Sequence, residues 1–200
     1  MGRPNRQKER RIALVEAAQS AVLEHGLVAL SLTDVAKQAG LTRGALLYYF
    51  DDLDDLLVET HRAGIQRFCD DRDARLAGIE SPGEQLAVAI DVGLPSGPDD
   101  ALMRLLYEFD FLAGQSELHA ELMQSLYLRQ LGTYRRVLDA GVAAKDFAPT
   151  MPVHDLAMTL VALEDAYSLH IIAGNTHLDV TVAARAMRDV AAGLGCPPTS

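Results

Sequence analysis

The sequence predicts an all-α fold of about nine helices, because apolar residues recur at three- and four-residue spacing along most of it. Two further observations agree. No run alternates apolar and polar residues for long enough to make a strand. Caps and stop glycines punctuate the helical runs. The chain has 200 residues, 49% of them apolar, which suffices for a large core, and its 15 Gly and 8 Pro are too few for disorder.

The first helix is expected over 6–25, with Ile12, Val15, Ala18 and Val22 as its buried stripe. Gly26 stops it and Leu27 supplies the apolar contact that follows such a stop. Ser31 caps a second helix over 32–39, and Asp34 three positions on resembles the partner of a capping box. Val35 and Ala36 turn inward, and Gly40 sits where a tight turn needs positive φ. Leu41 fills the space under the turn, Thr42 caps a third helix over 43–49, and Leu46 faces the core. Two short helices around such a turn make a helix-turn-helix over 31–50.

In that arrangement the second helix enters the major groove of double-stranded DNA, N-terminal residues foremost. Thr42, Arg43, Gly44 and Ala45 occupy those positions. Arg43 has the geometry to read a guanine edge, and the small Gly44 and Ala45 let the backbone approach. Thr33 and Leu47 belong to the same face, and Tyr48 and Tyr49 offer hydroxyls to phosphates. Arg3, Arg6 and Lys8 form a basic arm ahead of the unit.

The net charge of −10 argues against nucleic acid until its distribution is examined. Residues 1–50 hold seven basic and four acidic side chains, a net of +3, which leaves −13 to residues 51–200. A basic head on an acidic body suits a DNA reader with a second function.

Beyond Asp52 the sequence predicts a long helix over 53–78, a short one ending near 92, and a loop over 93–98 rich in Gly and Pro. A helix opening at Asp99 or Asp100 follows, with Leu102, Leu105, Leu106, Phe109, Leu112 and Ala113 as its core face. Further helices are expected over 117–144, 152–173 and 180–194. Cys69 and Cys196 are far apart and read as structural, consistent with a reducing compartment. The N-terminus lacks the apolar segment of a secretory signal, and no apolar run is long enough to span a bilayer. These features predict a cytoplasmic protein without membrane association. His25, His61, His119, His154, His170 and His177 show no metal-ligand spacing, so neither metal nor cofactor is expected. Nucleophile-elbow, phosphate-loop and dinucleotide motifs are missing, so the sequence does not read as an enzyme.

Over about 45 residues this series resembles the DNA-binding domain of TetR/AcrR-type regulators. The carriers are the first helix and its Gly stop, Thr33-Asp34-Val35-Ala36, Ala39-Gly40-Leu41-Thr42, and Tyr48-Tyr49-Phe50. The last third, from Ala162 to Gly195, is loosely similar to the choline-responsive, BetI-like branch. Two departures reduce the polar DNA contacts: Leu47 replaces a frequent Tyr, and Leu53 stands where Lys is frequent, within the acidic Asp51-Asp52-Leu53-Asp54-Asp55.

The resemblance implies a DNA-binding domain over 1–52 and an effector-binding and dimerisation domain over 53–200. It implies a ligand-responsive repressor that binds a palindromic operator as a homodimer through its two last helices. Leu156, Leu160, Leu163, Tyr167 and Ile171, extended by Val161 and Ile172, form an apolar surface for that role, with Ala183, Met187, Val190 and Leu194 as a second stripe. The implied effector lies in the body. Carboxylates within apolar runs are costly unless paired, and aromatic neighbours suit a cation. Glu108, Asp110 and Glu164, with Tyr107, Phe111, Tyr127, Tyr167 and His170, are therefore candidates for a cationic or amine-bearing ligand. The alternative is that these acids face solvent or pair with Arg104, Arg129, Arg135 or Arg136.

Overall fold

The computed structural model describes residues 3–199, with side chains from residue 7 onward except Phe111. The expectations for the Arg3, Arg6 and Phe111 side chains lie outside the described residues. The described residues form nine helices and no strand: α1 (Arg3–His25), α2 (Leu32–Gln38), α3 (Arg43–Leu46), α4 (Leu53–Leu76), α5 (Pro82–Gly93), α6 (Ala101–Ala113), α7 (Glu117–Ala144), α8 (Val153–Ile172) and α9 (Val180–Gly193). The all-α expectation holds, and most predicted ends fall within a residue or two of these. The clearest difference is the third helix, which keeps α geometry only to Leu46. The next turn tightens, with Tyr49 N and Phe50 N both donating to the Leu46 carbonyl.

The chain divides into two compact units, residues 1–67 with 104–123 and residues 68–103 with 124–200. The first contains the helix-turn-helix but extends beyond the 52/53 division expected from sequence. Its core explains why: Leu14, Ala18, Val22, Val35, Leu46 and Phe50 pack with Leu56, Leu57, Leu105 and Phe109 from α4 and α6. One long helix and two short ones need this extra apolar cover to exclude water. On α1 the buried stripe runs through Leu14, Ala18, Ala21 and Val22, so Ala18 and Val22 are buried as predicted, Val15 is half-buried against the core, and Leu14 takes the place predicted for Ile12. Ile12 is 51% exposed instead.

The core of the second unit joins Leu86 and Ile90 of α5, Tyr134, Val137 and Leu138 of α7, Leu156 and Leu160 of α8, and Ala183 and Met187 of α9. This corrects the predicted dimer surface. Leu156, Leu160, Val161 and Ile171 are buried within their own chain. The side of α8 left outward carries Met158, Ala162, Ala166 and Leu169, spaced about one helical turn apart. No helix among the described residues is long and apolar enough to cross a membrane.

Candidate DNA interface and ligand site

The reading head is built from its caps upward. Ser31 and Asp34 form the reciprocal capping box: Asp34 N donates to Ser31 Oγ at 3.3 Å and Ser31 N to Asp34 Oδ2 at 2.9 Å. The bonds from the Ser31 side chain and backbone hold the Asp34 carboxyl below its ordinary range. Gly40 takes φ +65, which only glycine adopts without strain. Thr42 Oγ1 accepts from Ala45 N at 3.2 Å and starts α3.

On the outer face Thr33, Thr42, Arg43 and Gly44 are exposed and Ala45 is half-buried. Leu47 is 40% and Tyr48 74% exposed, while Leu46 beneath them is fully buried. Tyr49 is half-buried and meets the Tyr48 ring edge-on, with centroids 5.1 Å apart. Lys8 is exposed on α1. Arg11, three residues on, is occupied elsewhere: its guanidinium lies 4.1 Å from the Phe50 ring centroid and donates to the Tyr49 carbonyl. It anchors the end of the recognition turn to α1. The acidic stretch after Phe50 is also committed in part, since Asp52 and Asp55 accept from the Asp55 and Asp51 backbone N–H groups and so cap α4.

Of the eight predicted ligand residues, the seven whose side chains are described are divided between the two units. Tyr107, Glu108 and Asp110 belong to the first unit, where Glu108 Oε2 accepts from Leu27 N at 3.3 Å. Tyr127, Glu164, Tyr167 and His170 belong to the second; Tyr127 and His170 are exposed and Tyr167 packs against the core.

Only Glu164 sits in a buried polar centre, and sequence reasoning missed its partners. Arg72 Nη1 and Nη2 donate to its two carboxylate oxygens at 3.0 and 2.9 Å, Tyr134 Oη donates at 2.6 Å and Gln130 Nε2 at 2.9 Å. Arg72 Nη2 also donates to the Ala89 carbonyl at 3.0 Å, and its guanidinium lies 4.7 Å from the Tyr134 ring centroid. Burial opposes the charge on Arg72, but the adjacent carboxylate outweighs it and holds the guanidinium protonated. Burial, with Glu164 beside it, pushes the Tyr134 hydroxyl well above its ordinary range. Gly93 makes room for the carboxylate, since a Cβ there would lie 2.2 Å from Glu164 Oε2. One signal was available: Ile65, Phe68, Cys69, Arg72 and Leu76 share a helical stripe, so Arg72 occupies a core position.

Two histidines 58 positions apart in sequence also converge. His61 Nδ1 and His119 Nδ1 are 3.0 Å apart in the first unit, stacked with Phe109 and fully buried, and both Nε2 atoms lack partners. Burial, with the neighbouring His119, pushes His61 down to about 3, and burial lowers His119 as well, so both rings are neutral. Among the described residues no three His, Cys, Asp or Glu side chains are grouped to hold a metal.

Residues 14–60 match the family of bacterial regulatory proteins, tetR family. The HTH-type transcriptional regulator BetI of Agrobacterium fabrum is 32% identical over 87 residues, 44% of this chain and 42% of that protein. The match thus spans less than half of that relative's length. A TetR transcription regulator from Haloarcula marismortui superposes with a TM-score of 0.86 at 18% identity, over 94% of this chain and 99% of its own. A regulator from Saccharomonospora viridis, solved in complex with choline, superposes with a TM-score of 0.84 at 19% identity, over 92% of this chain and 96% of its own. The caps, turn glycine and exposed recognition face lie where the tetR-family match falls, over residues 14–60, and the likeness in fold to solved regulators extends over nearly the whole chain.

Proposed function

We propose that the protein is a cytoplasmic, non-enzymatic repressor that binds a palindromic operator as a homodimer and leaves it when a small molecule binds the body. The observation that carries the reading is the uncovered face of α3 and its cap: Thr42, Arg43, Gly44, Leu47 and Tyr48 stand outward over a rigid, fully capped turn. Arg43 and Thr42 read base edges, Thr33, Ala45 and Leu47 contact the groove, and Tyr48, Tyr49 and Lys8 hold phosphates, with Arg3 and Arg6 as the arm. Residues 1–52 supply recognition, and residues 53–200 supply effector binding and dimerisation. The outward stripe Met158, Ala162, Ala166 and Leu169 supports a two-fold contact along α8, which places two recognition helices on repeated half-sites.

For the effector, the buried centre around Glu164 is better supported than the other predicted acids. A cationic ligand has little to gain there, because Arg72 already fills the cation's place. The choline in the Saccharomonospora protein is that protein's ligand, and 19% identity transfers the fold only. A mobility-shift assay with the DNA flanking the protein's own gene tests the function. A salt-sensitive shift is expected; absence of any shift at low salt, with and without candidate ligands, refutes DNA binding.

A further inference from the structure

The far end of the recognition turn is held from another helix. α3 has four residues, and the turn after it rests on Tyr49 N and Phe50 N, which share the Leu46 carbonyl. A helix this short does not hold its own shape, and its last carbonyls lack partners within it. The Tyr49 carbonyl is such a group: no backbone N–H among the described residues donates to it. The Arg11 guanidinium does so from α1. The same guanidinium lies 4.1 Å from the centroid of the Phe50 ring, which is buried in the core of the first unit. Both contacts of Arg11 thus fall on adjacent residues of one turn. Among the described residues it enters no ion pair, so its cation serves that turn alone.

The turn it holds carries the two tyrosines of the recognition face. Tyr48 is exposed, and its ring meets the edge of the half-buried Tyr49 ring. A hydroxyl on a loose turn must be ordered when it meets a phosphate, and that ordering subtracts from affinity. A turn already fixed at its backbone avoids this loss.

We infer that Arg11 is a positioning residue for DNA binding: it touches no phosphate, but fixes the 47–50 turn so that the Tyr48 and Tyr49 hydroxyls meet the DNA backbone. This rests on the proposed DNA reading of that face and adds to it a residue from α1.

Arg11→Met tests the inference, because the thioether still covers Phe50 but offers no donor. In the free protein, the Tyr49 and Phe50 amides should exchange hydrogen about tenfold faster, while the Leu14 and Val22 amides keep the parent's rates. In titrations of the DNA flanking the protein's own gene, Arg11→Met should weaken binding about tenfold. In a Tyr48→Phe, Tyr49→Phe background the same change should cost less than about threefold, because the hydroxyls it would position are gone. The slope of log affinity against log salt should stay as in the parent, whereas a lost phosphate contact lowers it by about 0.9. Should Arg11→Met not fold, Arg11→Lys, which keeps the charge but not the flat guanidinium fork, decides by the same measurements.

The inference is overturned if exchange at Tyr49 and Phe50 is unchanged. Equal cost in both backgrounds also overturns it, since a merely stabilising contact behaves so. A slope lowered by about 0.9 overturns it as well and makes Arg11 a phosphate contact. The two kinds of measurement separate it from the functional reading. Faster exchange in a protein whose parent shifts no DNA keeps the anchor and rejects its use on DNA, while unchanged exchange with a parent that binds DNA does the reverse.

Discussion

Removing one member of the Arg72–Glu164 pair should cost far more than replacing both. The two side chains are 3% and 2% exposed, and Glu164 accepts four hydrogen bonds, two of them from Arg72. In Glu164→Gln the guanidinium stays buried without an anion, which costs about 3–5 kcal/mol. In Arg72→Met the carboxylate keeps Tyr134 and Gln130 as donors, so the loss should lie near the lower end, about 3 kcal/mol. Replacing both by neutral groups of similar volume should restore stability to within about 1.5 kcal/mol of the parent. The pair is thus expected to be strongly non-additive. Urea unfolding followed by far-ultraviolet circular dichroism measures it. With a slope of about 2–3 kcal/mol per molar, Glu164→Gln should lower the midpoint by roughly 1.5 M. If Glu164→Gln stays within about 1 kcal/mol of the parent, or the double variant equals the sum of the singles, the centre is not the dry, mutually dependent pair described here.

Gly93→Ala should destabilise by about 1–3 kcal/mol, because its Cβ would meet a carboxylate held by four donors; an unchanged thermal midpoint would contradict that packing. The His61–His119 pair predicts acid lability. His61 sits at about 3 in the folded state against an ordinary 6.5, so its contribution is complete above pH 6.5 and is lost as pH falls toward 3. Replacing both, as His61→Phe with His119→Leu, should be close to neutral at pH 7 and flatten the loss between pH 6 and 4 in thermal melts; an unaltered pH profile would rule the pair out as its source. Arg43→Ala should cost about 1–3 kcal/mol in operator affinity and relax preference at one base pair, measured by titration against operator variants; uniform weakening across sequences would make Arg43 a phosphate contact instead.

The head was readable in the sequence because its determinants are local. A cap and its partner three residues on, a glycine four residues after an alanine, and a second cap all lie within one turn of what they control. Ser31–Asp34, Gly40 and Thr42 accordingly occur as expected. What sequence could not give was phase and distance. On α1 a stripe beginning at Ile12 and one beginning at Leu14 are nearly equivalent in apolar content, and only the positions of α4 and α6 select the second. The same holds for α8, apolar on several sides, where Leu156, Leu160 and Val161 are packed inward and Met158, Ala162, Ala166 and Leu169 are left outside. His61 and His119 meet only because α4 and α7 are packed together, and no spacing announces it.

The ligand residues show the same limit in electrostatic form. A carboxylate inside an apolar helix implies that something neutralises it, and the sequence alone leaves open whether that partner is a ligand or another side chain. The sequence offers Arg104, Arg129, Arg135 and Arg136 as partners, yet the partner of Glu164 is on α4, in a charged-looking stretch that reads as solvent-facing. Arg72 is flanked by Asp71 and Asp73, both exposed, and only its register with Phe68, Cys69 and Leu76 marks it as core. Once Arg72 is placed, the logic of the site inverts. The carboxylate is no longer the group that awaits a ligand, since it is fully bonded, and the remaining unmet demand is a donor, the Arg72 Nε–H.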